Sequence, residues 1–439
     1  MSSPRVDSSK STLPVAIIGA GPVGLAAAAH LLAKGETPVV FEAGLAAGAS
    51  ILEWGHVRLF SPWHYTVDTA SAALLAAQGW EAPEPEELPT GRELVERYLA
   101  PLAATPELAP RIRFGARVES VSRLGFDKMK TPGREQAPFL LQVRRSDDSE
   151  EAVLARAVID ASGTWGKPNP LGASGLPAVG ERALAERIFY GIPDVLGTHR
   201  PRYAGRRVMV VGSGHSAFNA ILDLVRMAEE EPGTAILWAV RRQSLGQLFG
   251  GGENDVLAAR GALGTRVRQL IDSGRVRLLT GFRVTELRSA GRGIEVIGGA
   301  ETVEADEIVA TTGFRPDLSL FSELRTALDP GVESPAVLAP LIDPNLHSCG
   351  TVRPHGAEEL KQPEKDFYVV GMKSYGRAPT FLLLTGYEQV RSVACALTGD
   401  AKGAREVRLE LPETGVCVLG AIKDKVEQAA ACCAPACCT

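Results

Sequence analysis

Two glycine-rich turns, each lying between an apolar run and a small-residue segment, constrain this chain more than any other feature. The first is Gly19-Ala20-Gly21-Pro22-Val23-Gly24, preceded by Val15-Ala16-Ile17-Ile18. The second is Gly212-Ser213-Gly214-His215-Ser216-Ala217, preceded by Arg207-Val208-Met209-Val210-Val211. Short apolar runs suit strands buried on both faces of a parallel sheet. A glycine turn that opens straight into a helix offers free backbone N–H groups and a positive dipole end to a phosphate. One such pattern arises easily by chance. Two of them, 193 residues apart, predict an α/β chain with two Rossmann-like dinucleotide-binding units. The length of 439 residues allows two or three domains.

In the first unit Gly19 permits the tight turn, Gly21 lets the backbone approach a pyrophosphate, and Gly24 lets the helix pack on its strand. Residues 25–33 continue as an Ala/Leu-rich helix. Pro38-Val39-Val40-Phe41 is the next strand, and Glu42 ends it, 23 residues beyond Gly19. That spacing suits a carboxylate binding ribose hydroxyls, and it fits an unphosphorylated ribose such as that of FAD or NAD. In the second unit Gly212 and Gly214 repeat the turn, with Ser216 and Ala217 opening a helix over 216–227. A strand over 234–240 follows. Where the first unit has Glu42, the second has Arg241-Arg242. A carboxylate repels a 2′-phosphate and an arginine binds it bidentately, so NADPH is expected over NADH. A solvated basic turn is the plainer alternative.

Net charge is −5, which gives no basic field for nucleic acid. Residues 1–13 lack the apolar core of a signal peptide. The most apolar stretch, 15–33, is broken by Gly19, Gly21, Pro22 and Gly24, so no membrane span is expected. A cytoplasmic enzyme, as a homo-oligomer, is the default expectation.

Two returning strands complete the pattern: Ala157-Val158-Ile159-Asp160 before Gly163, and Glu307-Ile308-Val309-Ala310 before Thr311-Thr312-Gly313. With these in place the chain resembles the two-dinucleotide-domain flavoproteins, and within them the flavin-containing monooxygenase type. The resemblance covers roughly residues 13–400. It implies an FAD domain with an inserted NADPH domain: 1–165 and 310–400 for FAD, 166–309 for NADPH, then a tail over 401–439. The family's alanine-threonine-glycine turn has its counterpart in Ala310-Thr311-Thr312-Gly313. Phe367-Tyr368-Val369-Val370-Gly371 resembles the closing FAD strand, with a helix over 380–398. Disulfide-reductase relatives place an Asp after that glycine, whereas Met372 stands here. The monooxygenase aromatic-glycine-histidine-aromatic run is matched in part by Phe189-Tyr190-Gly191, His199 and Tyr203.

A thiol relay beside the flavin needs a cysteine pair just after the first unit, yet residues 44–68 contain no cysteine. The second unit has no Cys-x-x-Cys either. In that place the chain carries Glu53-Trp54-Gly55-His56-Val57-Arg58-Leu59-Phe60-Ser61-Pro62-Trp63-His64. As an active-site loop, Trp54 and Trp63 would wall off water, and Arg58 or His56 would stabilise a flavin peroxide anion. As a plain packed loop, its aromatics would be core and its charges solvated. His215 is expected to pack over the nicotinamide phosphates. The segment 246–252 reads either as a loop near substrate or as a surface connection.

Past residue 400 the composition turns polar. Residues 416–431 suit an amphipathic helix, followed by Cys432-Cys433-Ala434-Pro435-Ala436-Cys437-Cys438. Four thiols so close together can bind soft ions such as As(III), Hg(II), Cu(I) or Zn(II). They also resemble the electron-shuttling tails of mercuric reductase. Monooxygenases of this broad type occur in arsenic-resistance gene clusters, which makes trivalent arsenic a candidate substrate.

The leading expectation is an NADPH-dependent FAD monooxygenase. It would take O2 and a small molecule with a soft nucleophilic atom (sulfur, nitrogen or trivalent arsenic), through the C4a-(hydro)peroxyflavin that the resemblance implies. The alternative is a reductase passing electrons through the C-terminal cysteines to a disulfide, metal or metalloid. A thiol sink with a flavoprotein sensor core ranks last.

Overall fold

The computed structural model describes residues 12–243, 258–346, 352–379 and 381–409. Strand β1 (Val15–Ile18) runs through the first glycine turn into α1 (Pro22–Ala33), whose first residue is proline. Proline suits that position because its missing N–H would have had no helical partner. Strands β2 (Pro38–Phe41) and β3 (Ile112–Arg113) follow. An antiparallel meander comes next, formed by β4 (Ala116–Arg123), β5 (Phe139–Arg145) and β6 (Glu150–Ala155). Strand β7 (Ala157–Asp160) then returns to lie beside β1, with Ile17 opposite Ile159 on one side and Val40 on the other.

The second segment supplies β8 (Ile188–Tyr190) and β9 (Arg207–Val211). Strand β9 leads through the second glycine turn into α2 (His215–Glu230) and then β10 (Ala235–Val240). Helix α3 (Ala258–Asp272) and β11 (Arg277–Thr280) complete this side. A second meander, β12 (Val284–Ala290), β13 (Gly293–Gly298) and β14 (Glu301–Ala305), precedes β15 (Glu307–Ala310). The chain ends its described course with β16 (Phe367–Val369), α4 (Leu383–Leu397) and α5 (Ala401–Arg405).

Two parallel five-stranded sheets result, ordered β16-β7-β1-β2-β3 and β11-β10-β9-β15-β8. In each, the glycine-turn strand is central, and the chain leaves it to one side and comes back on the other. That reversal opens a crevice beyond the carboxyl ends of the strands, where ligands bind in such sheets. Strands β1, β2, β7 and β15 are buried along their whole length, which explains why they are apolar except for Asp160 at the end of β7 and Glu307 at the start of β15, each buried in an ion pair. The meanders each cover one face, so β4 alternates buried Ala116 and Val118 with exposed Arg117 and Glu119.

Helix α1 lies against the sheet and α4, and residues 23–29 are buried on every side. Close approach explains the small residues: a methyl on Gly386 of α4 would lie 2.6 Å from the Val23 side chain. Truncating a fully buried residue here, such as Leu25, costs about 2–5 kcal/mol.

The core continues past residue 400, where the composition suggested a tail. Arg391 of α4 pairs with Glu388 and donates to the carbonyls of Gly403 and Glu406, and Ser392 donates to Ala404 O at 2.5 Å. Residues 401–408 are thereby docked on the first sheet's helices. Among the described residues no helix is long and apolar enough to cross a membrane.

The two sheets are joined by two crossings that pair with each other. Asn169 N–H donates to Gly313 O at 2.9 Å, and Arg315 N–H to Lys167 O at 3.0 Å. Thr312 Oγ1 donates to Asn169 O at 2.6 Å. The crossings thus form a short antiparallel ribbon centred on Pro168 and Phe314.

Candidate functional site

The first glycine turn separates what the fold needs from what a ligand needs. Gly19 has φ +101°, and a methyl there would meet Ala161 O at 2.8 Å. A methyl on Gly24 would lie 1.9 Å from Gly19 O. Gly21 has an ordinary φ of −79°, and a methyl on it would meet nothing within 4 Å. The fold therefore requires Gly19 and Gly24 but not Gly21, whose open space suits a pyrophosphate. No side chain caps α1, so its first N–H groups stay available. Glu42 closes the turn: Oε2 accepts from Ala20 N–H and Oε1 from Gly44 N–H, both at 2.7 Å. Each oxygen keeps a lone pair for a ribose hydroxyl. These residues fit the adenosine half of FAD.

The second turn repeats this division. Gly212 has φ +135°, and a methyl there would meet Thr311 O at 2.4 Å; a methyl on Gly214 meets nothing within 4 Å. Gly214 is the uncapped N-cap of α2, Ser216 is exposed in its first turn, and Ala217 is buried in the helix–strand contact. Trp238 of β10 braces the turn by donating Nε1–H to Gly212 O at 2.7 Å, a support that sequence reading missed. Arg241 and Arg242 follow β10 at the crevice rim. Arg241 is exposed with Nη1 3.3 Å from Ala173 O, and Arg242 is half-buried.

The 53–64 segment is divided by the fold. His56 faces the second domain near Asp194 and His199; burial pushes its imidazole below the ordinary 6.5, and its Nε2 is buried without a partner. Phe60 meets the His215 ring at 5.5 Å, and Trp54 meets Trp165 at 6.5 Å. Two expectations change. Trp63 is 1% exposed in the first domain's core with Arg97 5.4 Å over its ring, so it packs the core and does not wall the crevice. Arg58 is exposed and engaged by Leu88 O and Glu93, so it braces the loop.

The partial aromatic-glycine-histidine run assembles in space. The Phe189 and His199 rings meet edge-on at 5.0 Å, and Tyr203 is fully buried. Asp194 takes up the longer spacing by accepting from Thr198 N–H, while its own N–H donates to His199 Nδ1.

The closing segment anchors to the same region. Gly313, in the returning crossing, has φ +83°. Gly371 has φ +66° and donates its N–H to Gln389 Oε1 at 2.7 Å. Gln389 Nε2 donates to Ser374 Oγ and His355 Nε2, both at 2.9 Å. Two residues after Gly371, where no role was expected, Lys373 Nζ donates to Asp160 Oδ2 and to Ser162 Oγ. Its sequence signal was weak, since a lone lysine reads as surface.

Cys432, Cys433, Cys437, Cys438 and the 246–252 segment lie outside the described residues. Among the described residues no cluster of three or more His, Cys, Asp or Glu is placed to hold a metal ion.

Residues 16–345 match the pyridine nucleotide-disulphide oxidoreductase family. Over 215 residues, 48% of its length, the chain is 30% identical to indole-3-pyruvate monooxygenase YUCCA1 of Oryza sativa subsp. japonica; the match spans 44% of that relative, less than half its length. It is 27% identical over 325 residues to ferredoxin–NADP reductase of Salinispora arenicola (strain CNS-205), covering 72% of this chain and 79% of that one. The fold is similar to bacillithiol disulfide reductase from Bacillus cereus (TM-score 0.62, 20% identity, 88% of this chain and 99% of that one). It is equally similar to the cadaverine monooxygenase DfoA from Erwinia amylovora (TM-score 0.62, 14% identity, 92% and 98%). The two nucleotide turns, the two sheets and the family match together place the chain in the pyridine nucleotide-disulphide oxidoreductase family, as an FAD-dependent oxidoreductase that uses a nicotinamide nucleotide.

Proposed function

We propose that this chain is an NADPH-dependent flavin monooxygenase acting on a small molecule with a soft nucleophilic atom, sulfur or nitrogen foremost. The observation that carries the reading is the crevice wall. Where a thiol relay would stand, the chain sets Trp54 against Trp165, Phe60 against His215 and His56 beside Asp194 and His199, and its first cysteine is Cys349. Bound FAD supplies the two-electron chemistry and the reactivity with dioxygen. Glu42 and the Gly21 backbone bind its adenosine diphosphate, and Gly214 with Arg241 and Arg242 binds NADPH through its phosphates. Trp54 and Phe60 exclude water, and neutral His56 offers Nε2 as a hydrogen-bond acceptor. The monooxygenase relative supports this reading. Trivalent arsenic stays in the substrate set only through the chemistry of the C-terminal thiols.

The test is anaerobic reduction with NADPH, then mixing with 18O2 and a panel of thioethers, amines and arsenite. One 18O atom in a product, formed in proportion to NADPH consumed, supports the reading. Hydrogen peroxide as the sole product rejects it.

The ferredoxin–NADP reductase relative favours a second reading, a reductase. It predicts electron transfer to ferredoxin or a disulfide that outpaces reaction with O2. If the C-terminal thiols carry those electrons, replacing all four by serine abolishes turnover while leaving flavin reduction intact.

A further inference from the structure

Trp165 stands at the root of the ribbon that joins the two domains, and it touches every body that meets there. Its Nε1–H donates to Glu53 Oε2 of the first domain at 2.8 Å. Its ring stacks on Phe314 of the returning crossing, with centroids 4.6 Å apart and planes 29° apart. On the second domain's side, Gly191 follows β8 with φ +115°, and a methyl there would lie 3.1 Å from the indole. The second domain's backbone is therefore drawn against the ring, and only glycine permits that approach.

A ribbon with so few backbone bonds has little torsional stiffness of its own, so side-chain contacts set the angle between the domains, those at its root together with Phe60 on His215. The indole meets that need: it is rigid, it spans three segments, and a single hydrogen bond fixes its rotation. The orientation matters because a hydride donor held by one domain has to reach an acceptor held by the other, and displacement by about 1 Å costs on the order of 100-fold in rate.

We propose that Trp165 is the positioning residue that wedges the nicotinamide domain into its hydride-donating orientation on the flavin domain. The inference rests on the assignment of FAD to the first unit and NADPH to the second. It predicts that Trp165 acts on the transfer between the cofactors and leaves the binding of each one nearly intact.

The test uses flavin-loaded full-length protein carrying Trp165→Ala or Trp165→Phe. Anaerobic stopped-flow gives the flavin reduction rate at saturating NADPH and the NADPH dissociation constant. Dithionite reduction reports on the flavin site alone. Hydrogen exchange of peptides containing the Asn169 and Arg315 amides reports on the ribbon without any catalysis. Trp165→Ala is expected to slow reduction by about tenfold or more, with NADPH affinity and dithionite reduction within about threefold of the parent and both ribbon amides exchanging faster. Trp165→Phe keeps the stack and recovers most of the rate. If Trp165→Ala loses its flavin, Trp165→Leu fills the volume without the stack or the donor and is read in the same way. Reduction at the parental rate overturns the proposal. If the parent itself is not reduced by NADPH, the cofactor assignment has failed, and exchange decides the wedge: faster ribbon exchange in Trp165→Ala but not in Trp165→Phe supports it, and unchanged exchange overturns it.

Discussion

The ammonium of Lys373 lies 2.6 Å from Oδ2 of Asp160, and both side chains are sealed from solvent. Asp160 ends β7 and Lys373 follows β16, so the pair ties the closing segment to the strand beside the first glycine turn. Asp160 Oδ1 also accepts from Ser162 N–H and Oγ–H. Lys373→Met leaves a buried carboxylate without its cation and is expected to cost about 3–5 kcal/mol. Lys373→Met with Asp160→Asn removes the stranded charge and recovers part of the loss. Urea titration followed by flavin release measures both. Equal midpoints for Lys373→Met and the parent would show that the pair contributes nothing.

The glycines of each turn are expected to fail differently. Gly24→Ala forces a methyl into Gly19 O and costs about 3 kcal/mol or more in stability. Gly21→Ala meets only open space, so it folds normally and loses at least about tenfold in FAD affinity. Gly214→Ala keeps FAD and loses NADPH in the same measure. Thermal unfolding and flavin content separate the three, and a Gly21→Ala protein with full flavin would sink the argument.

Replacing Arg241 and Arg242 together by alanine removes both cations at the rim. NADPH affinity is expected to fall about 10- to 100-fold, in keeping with about 1.5–3 kcal/mol for charged hydrogen bonds. NADH affinity is expected to change less than about twofold, since it lacks the group those bonds serve. Titration with both nucleotides gives the ratio directly.

His355 predicts a pH dependence. Burial pushes its imidazole below the ordinary 6.5. Its Nδ1–H donates to Arg353 O at 3.1 Å and its Nε2 accepts from Gln389, so only the neutral ring fits. The unfolded chain takes up the proton more readily than the folded one. Stability from this group is complete above about pH 6.5 and falls as pH drops through the lower folded value. Unfolding midpoints measured from pH 7.5 to 5 should decline, and His355→Gln should decline less steeply while starting lower. Parallel slopes for the two proteins would remove His355 from the account.

The central strands and nucleotide turns were legible because a strand buried on both faces leaves an unbroken apolar run, and because the turns need glycine at fixed offsets. Val15–Ile18, residues 208–211 of β9 and residues 308–310 of β15 all carry that mark. The meanders carry no such mark. Their alternation is short, and β4 breaks it with a register shift between Val118 and Ser120. The inward packing of Trp63 is not legible, because an aromatic in a loop gives no sign of facing inward or outward. The roles of Trp165 and Phe314 depend on two crossings 149 residues apart in sequence becoming neighbours, which no local pattern encodes. Docking of residues 401–408 depends on Arg391 reaching backbone carbonyls, and carbonyls are common to every sequence.

Asn169 and Gly313 stand 144 positions apart in the chain, yet their backbones share a hydrogen bond of 2.9 Å. The polypeptide thus leaves the first sheet and re-enters it through a single doorway, and all five strands of that sheet come from outside the loop so closed. In architectural terms the second domain is a cassette: it can be excised and the gap sealed by a tight turn, or exchanged for another nucleotide module, without reordering one strand of its host.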